Sequence, residues 1–268
     1  MPAFNLPDGA QLHYEDQGTG QTILFIHGVW MSSKFFQRQA PALGKRFRVI
    51  TLDLRGHGRS SHIMHGHTVA NYARDIRALI DGLGLNDVVL AGWSMGAFVL
   101  WDYFKQFGAH KVKASIVIEE SASDFKWPDW PIGLTDFAGL CQMMKAVQED
   151  RAPFVHEFIK LMLKDAPSAE VDAWMFEEIT RLPEAIASAI LFDQTVQDYR
   201  PVIPTIKVPT LLCFGRDEKL IPVAAGDHLK KNLADARLVV FENSGHCPFY
   251  EEAEKFNQEV ERFVTALD

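Results

Sequence analysis

The chain has 268 residues, 47% of them hydrophobic and 23% charged, which suits a sizeable folded domain and excludes an intrinsically disordered protein. Its formal net charge of −8 repels phosphate backbones, so we expect no nucleic-acid partner. No apolar run reaches the roughly 20 residues of a membrane span, and residues 1–9 lack the pattern of a secretory leader. We therefore expect no membrane association.

The cysteines are few and widely spaced. Cys141, Cys213 and Cys247 provide neither a disulfide framework nor a Cys-x-x-Cys metal pair. This usage is typical of proteins in reducing compartments. The sequence thus predicts a cytoplasmic protein without a metal or a cofactor, either a monomer or a small homo-oligomer.

Short apolar runs alternate with helical patterns along most of the chain. Continuous apolar runs indicate parallel strands that are buried on both faces. In chain order the predicted strands are 23–26, 47–52, 87–91, 112–118, 210–214 and 238–241. The predicted helices between and after them are 69–83, 97–107, 222–233 and 252–267. The alternation predicts an α/β fold with a mostly parallel sheet covered by helices.

The alternation stops once, between residues 121 and 205. This stretch has only helical periodicity, punctuated by prolines, and contains no convincing strand. We predict a helical cap at 121–205, inserted into a core formed by 1–120 and 206–268.

The segment Gly92-Trp93-Ser94-Met95-Gly96 joins a predicted strand to a predicted helix. A serine held in such a sharp turn, with small residues on both sides, is the context of a nucleophile elbow. The start of the helix places positive partial charge beside the serine oxygen. A serine hydroxyl still needs a base and a group that orients the base.

Both partners occur later in the chain, in the order Ser94, Asp217, His246. Asp217 follows one predicted strand and His246 follows the last. The carboxyl ends of strands in an open α/β sheet form the ligand-binding edge, so the three residues are expected to meet there. Two alternatives stay open: Asp217 could cap a helix that begins near Pro222, and the acid could instead be one of the pair Glu119-Glu120.

In these motifs the sequence resembles the α/β-hydrolase family. The matching segments are His27-Gly28, 53–60, 92–96, 215–217 and Gly245-His246. The resemblance implies an eight-stranded sheet, a Ser94–His246–Asp217 catalytic triad and a lid over the pocket. It also implies an oxyanion hole made by the backbone N–H groups of Val29 and Met95, with Trp30 as the alternative donor.

The substrate is predicted from the aromatic residues near the site. An apolar pocket for a small acyl substrate is expected, because ligand sites are mostly hydrophobic with few polar groups. The predicted lining is Trp30, Trp93, Phe137, Met144 and Trp174. The resemblance implies a serine hydrolase of small esters or lactones, such as a carboxylesterase or an acyl-homoserine lactonase.

Two other functions are compatible with the same resemblance. Some members of the fold are cofactor-free dioxygenases of heteroaromatic ring ketones, which use a histidine–acid pair, here His246 with an acid near Glu119 or Glu120. Others are slow hydrolases that act as ligand receptors. Relatives with a Gly-x-Ser-Met-Gly elbow also form peracids in a side reaction.

Overall fold

A twisted sheet of eight strands forms the centre of the computed structural model, which describes residues 3–267. The strands are β1 Ala3–Asn5, β2 Gln11–Gln17, β3 Thr22–Ile26, β4 Arg48–Leu52, β5 Val88–Trp93, β6 Val112–Ile118, β7 Thr210–Gly215 and β8 Ala236–Phe241. Their order in the sheet is β1-β2-β4-β3-β5-β6-β7-β8. Pairs β1–β2 and β2–β4 are antiparallel and all others are parallel, which confirms the predicted fold class.

The central strands carry no polar face. Every residue of β3, β5 and β7 is buried, since helices cover both sides of the sheet. Strand β2, the second strand from one edge of the sheet, is partly exposed and carries polar side chains. This difference explains why the apolar runs predict β3 to β8 but not β1 and β2.

Ten α-helices accompany the sheet among the described residues. They are α1 Ala40–Leu43, α2 Val69–Gly82, α3 Met95–Phe107, α4 Phe137–Glu149, α5 Arg151–Met162, α6 Ala169–Thr180, α7 Glu184–Thr195, α8 Val223–Asn232, α9 Pro248–Glu251 and α10 Ala253–Thr265. The Thr68 hydroxyl accepts a hydrogen bond from the Asn71 N–H and caps α2. Helix α3 is buried from residue 95 to residue 104, so it runs through the interior directly after Ser94.

Helices α4 to α7, hereafter the inserted helices, lie between β6 and β7. They occupy the interval 121–205 that was predicted as a cap. Side chains from the loop after β3 fasten them to the sheet: the Trp30 indole N–H donates to the Ala187 carbonyl at 3.0 Å, and the Ser32 hydroxyl donates to Glu178 at 2.6 Å. The inserted helices therefore cover the carboxyl edge of the sheet. Within residues 3–267, no helix has the length and apolar character needed to cross a bilayer.

Two buried histidines lie near the carboxyl edge of the sheet. His27 donates from Nδ1 to the Gly28 carbonyl at 2.7 Å and accepts the Leu54 N–H at Nε2, at 3.0 Å. This pairing requires the neutral ring. The ring of His57 lies 5.0 Å from that of His27, and burial lowers the pKa of both, that of His57 well below its ordinary value.

These histidines should make the fold sensitive to mild acid. In the unfolded chain a histidine gains its proton near pH 6.5, whereas folded His57 stays neutral, so its contribution is present above pH 6.5 and is lost as the pH falls below that value. The loss for one such group is up to about 1.4 kcal/mol per pH unit. Urea unfolding at pH 7.5, 6.5 and 5.5 should show a shallower acid decline for His57→Gln than for the wild type. Equal slopes would contradict the assignment of a neutral His57.

Candidate active site

Ser94 occupies a strained turn between β5 and α3. Its φ of 53° and ψ of −127° lie in a region that residues other than glycine rarely adopt. A Cβ on Gly92 would collide with the Gly96 carbonyl, and a Cβ on Gly96 would collide with the Ile26 carbonyl. Glycines at both positions therefore allow α3 to pack directly against the strands and hold the Ser94 side chain at the edge of the sheet.

Two backbone N–H groups beside Ser94 remain free in the described part of the chain. Met95 begins α3, and the N–H groups of a helix's first turn have no partner within the helix. Val29 follows β3 in a loop that passes against Ser94, since a Cβ on Gly28 would lie 3.2 Å from that of Ser94. Neither N–H takes part in a hydrogen bond within residues 3–267. The pair thus remains a prediction for the oxyanion hole, with donors of the required type.

His246 is fixed on three sides. Its backbone N–H donates to the Met162 carbonyl at 2.9 Å, and its own carbonyl accepts the Trp93 indole N–H at 2.9 Å. Its ring Nδ1 lies 2.6 Å from a carboxylate oxygen of Glu218. An Nδ1–H donated to that carboxylate leaves Nε2 as the acceptor, which is the tautomer a general base requires.

The structure corrects the predicted acid. Glu218, not Asp217, holds His246, and its side chain is 1% exposed whereas that of Asp217 is 41% exposed. Asp217 turns outward and pairs with Lys164 at 3.0 Å. The Asp217 N–H donates to the Ser244 carbonyl and so continues the backbone pairing of β7 with β8. The side chain of the next residue, Glu218, therefore faces the interior. Two adjacent carboxylates in one loop cannot be told apart by their spacing from the strand.

A second carboxyl group lies behind this pair. Oxygens of Glu119 and Glu218 and a ring nitrogen of His246 lie within 4.8 Å of one another. Burial and the negative charge of Glu218 raise the pKa of Glu119 well above its usual range. Burial alone would raise the pKa of Glu218, but electrostatic attraction to the His246 ring and the hydrogen bond between the two side chains lower it. Glu119 is thus the neutral member and Glu218 the ionised one.

Ser94 and His246 open into one cavity of about 280 Å³ beneath the inserted helices. Most of its wall is apolar, contributed by the loop after β3, by α4, α5 and α7, and by the loop before α8. The apolar lining residues are Val29, Trp30, Leu134, Met143, Phe154, Phe158, Leu161, Leu191, Leu220 and Ile221. The volume lies at the small end of ligand-binding cavities.

Of the predicted lining residues, the structure brings only Trp30 to this cavity, where its ring meets Phe158 at 5.5 Å. Trp93 lies beneath the site and packs on Phe249, with centroids 4.7 Å apart. Trp174 packs against Phe35 and lines a separate surface groove.

The other two predicted lining residues do not line the cavity, because their side chains point away from it along α4. Phe137 is the first residue of α4 and is 63% exposed. Met143 lines the cavity while Met144 does not, as expected for adjacent positions about 100° apart around a helix. Helical periodicity identifies which residues are apolar, but it does not identify which apolar side faces the cavity.

The model of the alpha/beta hydrolase family matches residues 23–259. The chain belongs to the alpha/beta hydrolase family.

Three similar proteins span nearly the whole chain. The AB hydrolase superfamily protein YisY of Bacillus subtilis (strain 168) is 33% identical over 258 residues, 94% of each chain. The non-heme haloperoxidase of Rhodococcus erythropolis is 29% identical over 98% of this chain and 99% of its own. The esterase EaEST from Exiguobacterium antarcticum superposes with a TM-score of 0.94 and 25% identity, covering 98% of each chain.

Sequence reasoning also missed a polar part of the cavity wall. Glu120, Asp124 and Gln194 line the cavity together with Ser94 and His246. Glu120 was considered only as a rival catalytic acid, and Asp124 and Gln194 lie in the predicted cap. No local motif distinguishes these residues, because the fold joins them over about 70 positions of sequence.

Proposed function

We propose that the chain is a serine hydrolase of small esters or lactones, working through an acyl-enzyme on Ser94. One observation carries the proposal: a strained serine and a histidine held by a buried carboxylate open into the same apolar cavity. Structural likeness to an esterase at 25% identity supports the same class. A cavity of about 280 Å³ favours a small acyl group.

In the proposed mechanism each site residue has one role. Ser94 Oγ attacks the carbonyl carbon while His246 Nε2 takes its proton, and Glu218 stabilises the resulting imidazolium. The oxyanion accepts hydrogen bonds from the Val29 and Met95 N–H groups. His246 then returns the proton to the leaving alkoxide. Water, deprotonated by His246, attacks the acyl-enzyme and releases the acid and Ser94.

Labelling with a fluorophosphonate probe tests this proposal. The phosphonylated protein should gain one adduct, mapped by mass spectrometry to the peptide that contains Ser94, and Ser94→Ala should gain none. An adduct at another residue, or no adduct on the folded wild type, would overturn the proposal. Oxygen uptake with heteroaromatic ring ketones, measured in parallel, would favour the dioxygenase instead.

A second candidate is peracid formation at the same site. The relative named non-heme haloperoxidase favours it, as does the Gly-Trp-Ser-Met-Gly elbow. Hydrogen peroxide would replace water as the attacking group, so that the acyl-enzyme yields a peracid and free Ser94. Bromide oxidation that requires both hydrogen peroxide and a short-chain carboxylic acid, and that disappears in Ser94→Ala, is the expected sign of this branch.

A further inference from the structure

The cavity contains a polar wall that the hydrolytic steps do not use. Glu120, Asp124 and Gln194 line it, and each is at most 4% exposed. Burying one carboxyl group, let alone two, in an apolar cavity is costly unless the group has partners. The hydrogen bonds of this wall therefore indicate what it can bind.

The donors of the polar wall are fewer than its acceptors. Gln194 Nε2 donates to Asp124 Oδ2 at 3.3 Å, and Glu120 Oε1 accepts the Ser121 N–H at 2.7 Å. Asp124 Oδ1 and Gln194 Oε1 have no hydrogen-bond partner among residues 3–267. The amide of Gln194 must turn its NH₂ towards the carboxylate, because the reverse would bring two acceptors together, and its oxygen is left unpaired.

The charge of the wall is negative at neutral pH. Burial and the adjacent Asp124 raise the pKa of Glu120 well above its usual range, so Glu120 is a neutral acid that faces Asp124. Burial raises the pKa of Asp124 to about 6, which leaves it mainly ionised at pH 7. Protonated Glu120 offers one donor to the pair, so the Gln194 oxygen still lacks one. Within the described chain no lysine or arginine lines the cavity.

The loop that carries Asp124 also has hydrogen bonds that do not involve the Asp124 or Gln194 side chain. That loop is fixed by backbone groups and by Ser123: the Asp124 carbonyl accepts the Thr135 N–H at 3.0 Å, and the Ser123 carbonyl accepts the Trp130 indole N–H at 2.9 Å. The Gln194 oxygen is thus an acceptor available to a molecule in the cavity, next to the Asp124 carboxylate.

We propose that Asp124 and Gln194 form a subsite for a hydrogen-bond donor, a hydroxyl or an ammonium group, carried by the substrate. This inference rests on the proposed hydrolysis at Ser94 and names its substrate class: small esters or lactones with such a group, in preference to purely aliphatic ones. A second carboxylate on the substrate would lie against the negative charge of Asp124, so substrates that carry one are excluded from this class. An unpaired buried acceptor is the feature by which a site rejects an analogue that lacks the donor.

Binding to Ser94→Ala tests the subsite without turnover. The probes are methyl hexanoate, methyl 3-hydroxyhexanoate, methyl 6-hydroxyhexanoate, methyl 6-aminohexanoate and monomethyl adipate, titrated calorimetrically. At least one donor-bearing ester should bind about tenfold more tightly than methyl hexanoate, and monomethyl adipate should bind more weakly. Adding Gln194→Leu should reduce that preference to threefold or less.

Gln148→Leu is the matched control, because Gln148 bonds to Glu184 and Ser188 outside the cavity and should leave the preference unchanged. If Gln194→Leu fails to fold, Asp124→Asn is tested in its place. Asparagine keeps the shape of the side chain but removes its charge, so this variant should weaken the binding of the ammonium ester more than that of the hydroxy esters. Equal binding of all esters, or a preference that survives in the wall variant, overturns the subsite. Failed labelling of Ser94 would overturn hydrolysis alone, because these titrations need no reaction.

Discussion

Replacing Ser94 by alanine lowers kcat/KM for every hydrolysed ester by at least about 10³-fold, if the acyl-enzyme forms on this residue. The substitution removes the hydroxyl proposed as the nucleophile, which lines the same cavity as Val29 and the base His246. Alanine, like serine, has a Cβ, so the positive φ at this position should cost it about the same strain and the turn should keep its conformation. The measurement is ester hydrolysis by wild type and variant at saturating and limiting substrate.

Cys247 provides the matched control for this loss. It is adjacent to His246 and could serve as a rival nucleophile, yet it is fully buried, and burial raises the pKa of its thiol well above the usual range. Cys247→Ala should therefore hydrolyse the same esters within about fivefold of the wild type. Retained activity in Ser94→Ala, together with its loss in Cys247→Ala, would move the nucleophile to the thiol.

The sequence was sufficient for the parts of the fold that are uniform in polarity. Strands β3 to β8 are apolar because helices cover both faces of the sheet, and such runs stand out without any knowledge of the neighbours. Strand β2 lies one strand in from the edge, and of its residues only Leu12 and His13 are buried. Its signal resembles that of an ordinary surface segment, so periodicity alone does not separate it from a loop.

The residues of the site also differ in how far the sequence alone predicts them. Ser94 and His246 could be predicted because a sharp turn and a strand end restrict where their side chains point. The acid and the cavity lining could not, because they depend on orientation across distant segments. Asp217 and Glu218 differ by one position, as do Met143 and Met144, and in each pair only the packed structure decides which residue faces inward.

The inserted helices show most clearly that the sequence does not predict which side chains face the cavity. The predicted lining residues on these helices, Phe137, Met144 and Trp174, do not reach the cavity. Met143 on α4 and Phe154 on α5 line it instead. Gln194 lies on α7 with Leu191, and both line the cavity. Under the proposed subsite, the polar residue Gln194 stands there because of the ligand that the cavity binds. Helix propensity and packing carry no information about that ligand.

Replacing Glu218 by glutamine should lower kcat on the order of 10³- to 10⁴-fold, whereas Asp217→Asn should change it less than threefold. The amide keeps the size of the side chain but can turn its NH₂ towards His246, which favours the tautomer with a proton on Nε2 and removes the base. It also removes the negative charge that stabilises the imidazolium. Asp217 lies in an exposed pair with Lys164, whose loss costs little stability and touches no reacting atom.

The same experiment separates Glu218 from the carboxyl behind it. Glu119 is held neutral by burial and by the charge of Glu218, so Glu119→Gln retains a hydrogen-bond donor towards Glu218 and should keep most of the activity. If Glu218→Gln stays active while Glu119→Gln loses several orders of magnitude, the ionised partner of His246 is Glu119. If Asp217→Asn alone is inactive, the loop after β7 adopts a different register during catalysis, and the distance of 2.6 Å between Glu218 and His246 would not describe the working enzyme.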